Sequence, residues 1–273
     1  MINIADIKIL VDGIDHPECV AVDKNNNIWA GGEAGQIYKI SSDGTFQEVA
    51  NTKGFILGVQ VSPDNTWLAA CDLKNKCVWK LDIRTYQLSV FAKGTADTSF
   101  RIPNYPCFDE NGNLYVSDSG GFREISGKIF KFDTHGNGVV WYSKPLNFAN
   151  GLAISPDNQF LMVACTWLPG VMRIPIRPDG KAGEADILVK TPDKTLPDGL
   201  AYDKKGNLYI SCYAPNTIFR FDTNHRLSVW ADDWEAHTLS NPTNMAFSTD
   251  NTKMYVANLG RWHIAQIDIN STI

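Results

Sequence analysis

Six copies of one short pattern divide this chain at intervals of 39 to 48 residues. A period of that length belongs to architectures in which no copy buries its apolar face alone and each must stack on the next. Every copy opens with a short apolar strand running into a turn, VAVDKNNN from Val20, VQVSPDNT from Val59, CFDENGN from Cys107, LAISPDNQ from Leu152, LAYDKKGN from Leu200 and MAFSTDNT from Met245. A second strand follows at once, as in IWAGG from Ile28 or LYVSDS from Leu114. A third alternates apolar and polar residues, as in QIYKI, KIFKF and TIFRF, the period of a half-buried strand. Asn and Gly at the reversals accept the positive φ that such hairpins demand. No stretch carries a sustained helical period, so the expected fold is all-β, a six-bladed β-propeller of about four strands per blade, which hides most sheet edges by radial repetition.

The last repeat ends almost immediately after its third strand, at Ile273, whereas the segment from Ile4 to Val11 precedes the first repeat and has no blade of its own. The expectation is a ring closed by the N-terminal strand joining the C-terminal blade. Residues 1–273 then form a single domain, since no Pro/Gly/Ser-rich linker interrupts the repeats. A formal net charge of -5 argues against nucleic acid or an anionic membrane as partner, because both need a basic face. No apolar run is long enough to span a bilayer, and MINIADIKILVDGID lacks a basic region followed by an apolar core. The reading is a soluble, cytoplasmic protein; its oligomeric state is not legible. Six cysteines without a Cys-x-x-Cys spacing read as packing residues and not as a disulfide or zinc framework. Cys71, Cys165 and Cys212 are assigned to one register position, where Asp118 and Asn258 stand in other copies.

Four residues before the last apolar residue of each first strand stand Glu18, Leu57, Asn104, Asn150, Asp198 and Thr243. First strands line the axis of a propeller, so these six form one ring around the bore. Glu18, Asn104, Asn150 and Asp198 would bring two carboxylates and two amide oxygens together. Such a hard, oxygen-only set suits Ca²⁺ best, with Mg²⁺, Zn²⁺ or Mn²⁺ as the alternatives. Carboxylates crowded on an axis repel one another and are costly to desolvate, and a cation compensates both. Leu57 and Thr243 complete the ring without being strong ligands.

PECVAVD from Pro17, NGLAISPD from Asn150 and LPDGLAYD from Leu196 resemble the senescence marker protein/gluconolactonase family, and the likeness covers all six repeats. The resemblance implies a propeller with a divalent cation, usually calcium, on the residues matching Glu18, Asn150 and Asp198. Asn104 matches a fourth ligand or a substrate contact, and Arg101 resembles the family's substrate-orienting Arg. The chain departs from the family pattern at Glu18-Cys19 and at Asn104-Tyr105-Pro106, where Tyr and Pro are expected to reshape one wall of the pocket. The implied activity is metal-dependent opening of a lactone, with Asp198, Asn104 and Arg101 as catalytic residues and a small molecule as substrate. The rivals are a phosphotriesterase-type hydrolase of the same fold and a non-catalytic ligand-binding propeller with a structural calcium.

Three further features bear on the mouth of the bore. Residues 119–126, with Phe122, Arg123 and Glu124, form a longer hairpin than other blades have and could overhang the pocket or simply be solvated. Trp167, Tyr213, Trp262 and His263 follow second strands on one side and read as an aromatic rim or as packing between blades. His16, two residues from Glu18, is left outside the site.

Overall fold

The computed structural model describes residues 1–269 and consists of six four-stranded antiparallel sheets. Each sheet is one blade. The inner strands are Cys19–Val22, Ile56–Val61, Pro103–Phe108, Ala149–Ile154, Pro197–Tyr202 and Pro242–Phe247, and each contacts the next around a closed cycle. Among the described residues there is no α-helix, only two 3-10 turns. The sixth sheet takes its outermost strand from Ile7–Asp12, which pairs antiparallel with His263–Asp268 from Ile7 opposite Ile267 to Asp12 opposite His263. Residue 273, where the last repeat ends, lies outside the described residues.

Between the first and second strands of every blade the reversal carries one residue in the left-handed region, Asn26, Asn65, Gly112, Asn158, Gly206 and Asn251. That column is the physical reason Asn and Gly recur there. The Asp-x-Asn-x-Asn turns are braced from within. Asp23 accepts from the backbone N–H of Asn25 and Asn27 and from the Asn27 amide, and Asp109 and Asp203 repeat the device.

The apolar core is divided into six clusters, one in each gap between neighbouring blades. Second strands such as Trp67–Asp72 and Leu114–Asp118 are buried along their whole length, because both faces meet another blade. Strand pairing corrects one sequence assignment. Asp118, Cys165, Cys212 and Asn258 do share a position, opposite Pro103, Ala149, Pro197 and Pro242, but in the second blade Asp72, not Cys71, stands there, opposite Ile56. Val61 pairs with Leu68 and Phe108 with Leu114, so the chain between paired residues is one residue longer in the second blade than in the third, which displaces the register. All six cysteines are buried and free.

Candidate metal centre

The ring position read from sequence coincides with an irregularity in the sheets. In five blades the inner strand gains one residue against its neighbour at this point, so that Leu57 and Gly58, Asn104 and Tyr105, Asn150 and Gly151, Asp198 and Gly199, and Thr243 and Asn244 each face a single partner residue. In the first blade, Glu18 lies just ahead of the strand that begins at Cys19. A bulge turns one side chain out of the alternating pattern, and here it does so at the same level around the bore. The glycines after the bulge let adjacent inner strands close in. A Cβ at Gly151 would lie 2.5 Å from the Asp198 carbonyl oxygen, and one at Gly58 would lie 2.4 Å from that of Asn104.

A row of second-strand hydroxyls fixes the bulges. Ser117 accepts from the Tyr105 N–H at 3.0 Å and donates to the Asn150 carbonyl of the next blade at 2.7 Å. Ser211 accepts from the Gly199 N–H and donates to the Thr243 carbonyl. Ser119 and Thr166 set the two amides. Each hydroxyl spends its only proton on a carbonyl of the next blade, Ala149 at 2.7 Å and Pro197 at 2.8 Å. It must therefore accept from the side-chain nitrogen of Asn104 (3.0 Å) or Asn150 (3.3 Å). The amide orientation follows from the network, and the carbonyl oxygen of each Asn is left as the group available for another partner.

The carboxylates stand in a medium that disfavours their charge. Burial pushes Glu18 up to about 7, and the Glu33 carboxylate adds to the shift. Burial, and then the charge of Glu18, push Asp198 well above the ordinary carboxylate range, while the Asn150 amide draws it partly back. Tyr213 is raised by burial and by both carboxylates. Among the described residues no Lys, Arg or His pairs with either carboxylate. Also among them, no three His, Cys, Asp or Glu side chains gather closely enough to hold an ion by themselves. A cation here would need the two amide oxygens as well. The donor set is two carboxylates without a basic partner and two amides with their N–H groups tied away, and it fits a hard divalent ion.

The remaining candidates are placed as follows. Thr243 is buried and turns its hydroxyl to the Ala257 carbonyl of its own blade. Leu57 offers no donor atom. Arg101 is at the mouth, with its guanidinium bound to Glu124 at 2.9 Å and Ser126 at 3.3 Å. The structure thus joins it to the hairpin, and not to the ring of four. Tyr105 does not form a wall of the mouth, because the bulge sends its side chain to the far end of the bore, where it lines a cavity of about 380 Å³ with Gln60 and Cys107. His16 bonds Asp15 and Glu33 and packs against Trp262 with the rings tilted by 52° and their centroids 4.2 Å apart. His263 is buried, with Nε2 2.9 Å from the Thr238 carbonyl oxygen. The hydroxyl row was missed in the sequence, although Ser117 and Ser211 share a register position and could have been found by pairing second strands with inner ones.

Comparison with known proteins follows the same lines. The profile of the SMP-30/Gluconolactonase/LRE-like region matches residues 81–260, and that of the strictosidine synthase-like N-terminal region matches residues 4–40. A gluconolactonase of Zymomonas mobilis is 29% identical over 184 residues, 60% of this chain and 50% of that one. The chain spans half or less of the length of the curated relatives it matches. Among solved structures, a gluconolactonase of Xanthomonas campestris superposes with a TM-score of 0.82 at 19% identity, over 96% of this chain and 89% of that one. The calcium-binding protein regucalcin of Agrobacterium tumefaciens gives 0.76 at 16% identity, over 95% and 92%.

Proposed function

The chain belongs to the SMP-30/gluconolactonase/LRE-like family, and from that premise we propose that it is a divalent-cation-dependent hydrolase that opens a lactone ring. The observation that carries the reading is the pair of carboxylates without a basic partner, Asp198 buried and Glu18 half-buried, set with two pinned amides on the bulges of the bore. Glu18, Asn104, Asn150 and Asp198 would hold the ion, with Ca²⁺ as the best fit to an irregular oxygen set and a calcium-binding structural relative in support. Bound there, a divalent ion polarises the ester carbonyl and offsets the negative charge that develops on its oxygen.

The residues of the chain have separable parts in this reaction. Asp198 accepts the proton of the attacking water, in the ionised form that a bound cation would favour. The water oxygen bonds to the carbonyl carbon, the ring C–O bond breaks, and the proton passes to the departing alkoxide. Asn150 holds the Asp198 carboxyl in place, and Asn104 and Arg101 orient the ring. The product acid ionises, so each turnover releases one proton.

A hydrolysis screen with a proton readout, across aldonolactones, aliphatic lactones, aryl esters and organophosphates, with added Ca²⁺ and with chelator, tests the proposal. Lactone opening that requires the ion is expected, and Asp198→Ala and Asn150→Ala should lose ion and activity together, by roughly 100-fold or more. Full turnover in chelator would remove the proposal, and preference for organophosphates would favour the phosphotriesterase rival. The match of residues 4–40 to the strictosidine synthase-like region favours a second reading, a ligand-binding propeller with a structural ion, which predicts ion binding without turnover of any ester.

A further inference from the structure

Among the described residues all but one of the large exposed aromatic side chains lie at one end of the ring. Inner strands start at the mouth and second strands return to it, so the loops after second strands and before inner strands share that face. Among the described residues the large exposed aromatics are Phe46, Phe122, Tyr213, Trp234 and Trp262. Phe46 begins an outer strand; the other four lie in mouth loops. Outer strands carry single exposed aliphatics, such as Val90 and Val229, which need no explanation.

Three of the four aromatics connect to the candidate ligands. Tyr213 follows Cys212, which stands opposite Pro197, the residue before Asp198. Trp262 packs against His16, two residues before Glu18, with the rings tilted. Phe122 is 65% exposed and meets Trp167 at 5.7 Å and Phe148 at 6.1 Å, edge to face. Phe148 is two residues from Asn150, and Trp167 follows the Thr166 that pins it. The indole N–H of Trp167 is buried without a partner. The hairpin bearing Phe122 occupies residues 119–124, two longer than the four-residue links of the other blades. Arg101 to Glu124 and Ser126 holds its base.

We propose that Phe122, with Trp167 and Tyr213, forms a hydrocarbon-binding subsite at the mouth, and that the lactone this site takes carries an aliphatic or aromatic substituent and not a row of hydroxyls. The inference rests on the lactonase reading for the reaction but not for the selectivity. A hydroxylated ring would leave its polar groups against aromatic faces, whereas a hydrocarbon arm covers surface that is otherwise wet.

The test compares γ-butyrolactone, γ-nonalactone and glucono-1,5-lactone with the Ca²⁺-loaded chain, alongside calorimetric titration with two ring-opened acids, 4-hydroxynonanoate and gluconate. We expect kcat/KM for γ-nonalactone to exceed that for γ-butyrolactone by about tenfold, the value of burying roughly two methylenes. Phe122→Ala should reduce that ratio several-fold, and Phe46→Ala should leave it alone. Equal rates, a preference for glucono-1,5-lactone, or a Phe122→Ala ratio unchanged from the parent would overturn the subsite while leaving hydrolysis standing. Selective binding of 4-hydroxynonanoate, lost in Phe122→Ala, without turnover of any lactone would uphold the subsite and sink the hydrolase reading. If neither acid binds and no lactone opens, both fall. Phe122-dependent sedimentation with phosphatidylcholine vesicles, with a flat lactone series, would assign the aromatics to a bilayer surface instead.

Discussion

At the scale of single residues, the candidate centre is a set of ordinary side chains made unusual by what surrounds them. Glu18 titrates normally near 4.5 and is held at about 7 in the fold by burial and Glu33. A raised carboxyl binds its proton more tightly folded than unfolded, so stability falls as pH rises between those two values and levels off above them. The metal-free protein should therefore lose melting temperature from about pH 5 to 7, and Glu18→Gln should flatten that slope. Saturating Ca²⁺ should also flatten it, because the ion favours the ionised form. A parent slope identical to that of Glu18→Gln in chelator would contradict the assignment. Thr166 is a second residue whose role can be isolated. Thr166→Val removes the acceptor for the Asn150 amide and the donor to Pro197, and should cost about 1–3 kcal/mol in thermal unfolding with a 10- to 100-fold loss of Ca²⁺ affinity.

At the scale of elements, the inner strand is legible in the sequence as a strand and not as a bulged one. The apolar run and the turn after it set its length and its end, and the aligned Asn and Asp mark the position that matters. What the pattern does not carry is the extra residue. Leu57, Asn104, Asn150, Asp198 and Thr243 each break strand alternation by one, and a one-residue break in a run buried on both faces leaves no polar mark. The extra residue between paired Val61 and Leu68 moved Cys71 into a column that belongs to Asp72, and the bulge sends Tyr105, expected in a wall of the pocket, to the far end. The bulge also explains the glycines that follow it. Gly151→Ala would set a methyl 2.5 Å from the Asp198 carbonyl oxygen, so the two inner strands must separate. The expected result is a loss of about 1–3 kcal/mol in denaturant unfolding, with weaker Ca²⁺ binding because Asp198 moves with its strand.

At the scale of the whole molecule, six repeats announce a ring because none can bury its faces alone, and this part of the fold was readable from period and turn chemistry. Each gap between blades holds its own cluster, and the first and last blades meet through Asn244, which donates to the Glu18 carbonyl at 3.1 Å. A closed cycle of equal contacts has no weak joint at which to separate. We therefore expect one calorimetric transition with matching van't Hoff and calorimetric enthalpies, and two resolved transitions would divide the chain into independent units. Site chemistry was less legible than the ring, since the column of oxygens is visible in sequence but the hydroxyls that orient it come from neighbouring strands.

The central claim is that Glu18, Asn104, Asn150 and Asp198 together hold one divalent ion. Calorimetric titration of Ca²⁺ into the parent chain and into single variants around the whole ring tests it most directly. The expected result is one ion per chain, with affinity lowered roughly 100-fold or more in Glu18→Gln and Asp198→Asn, reduced in Asn104→Ala and Asn150→Ala, and unchanged in Leu57→Ala and Thr243→Val. Binding that persists undiminished in Glu18→Gln and Asp198→Asn would contradict the account.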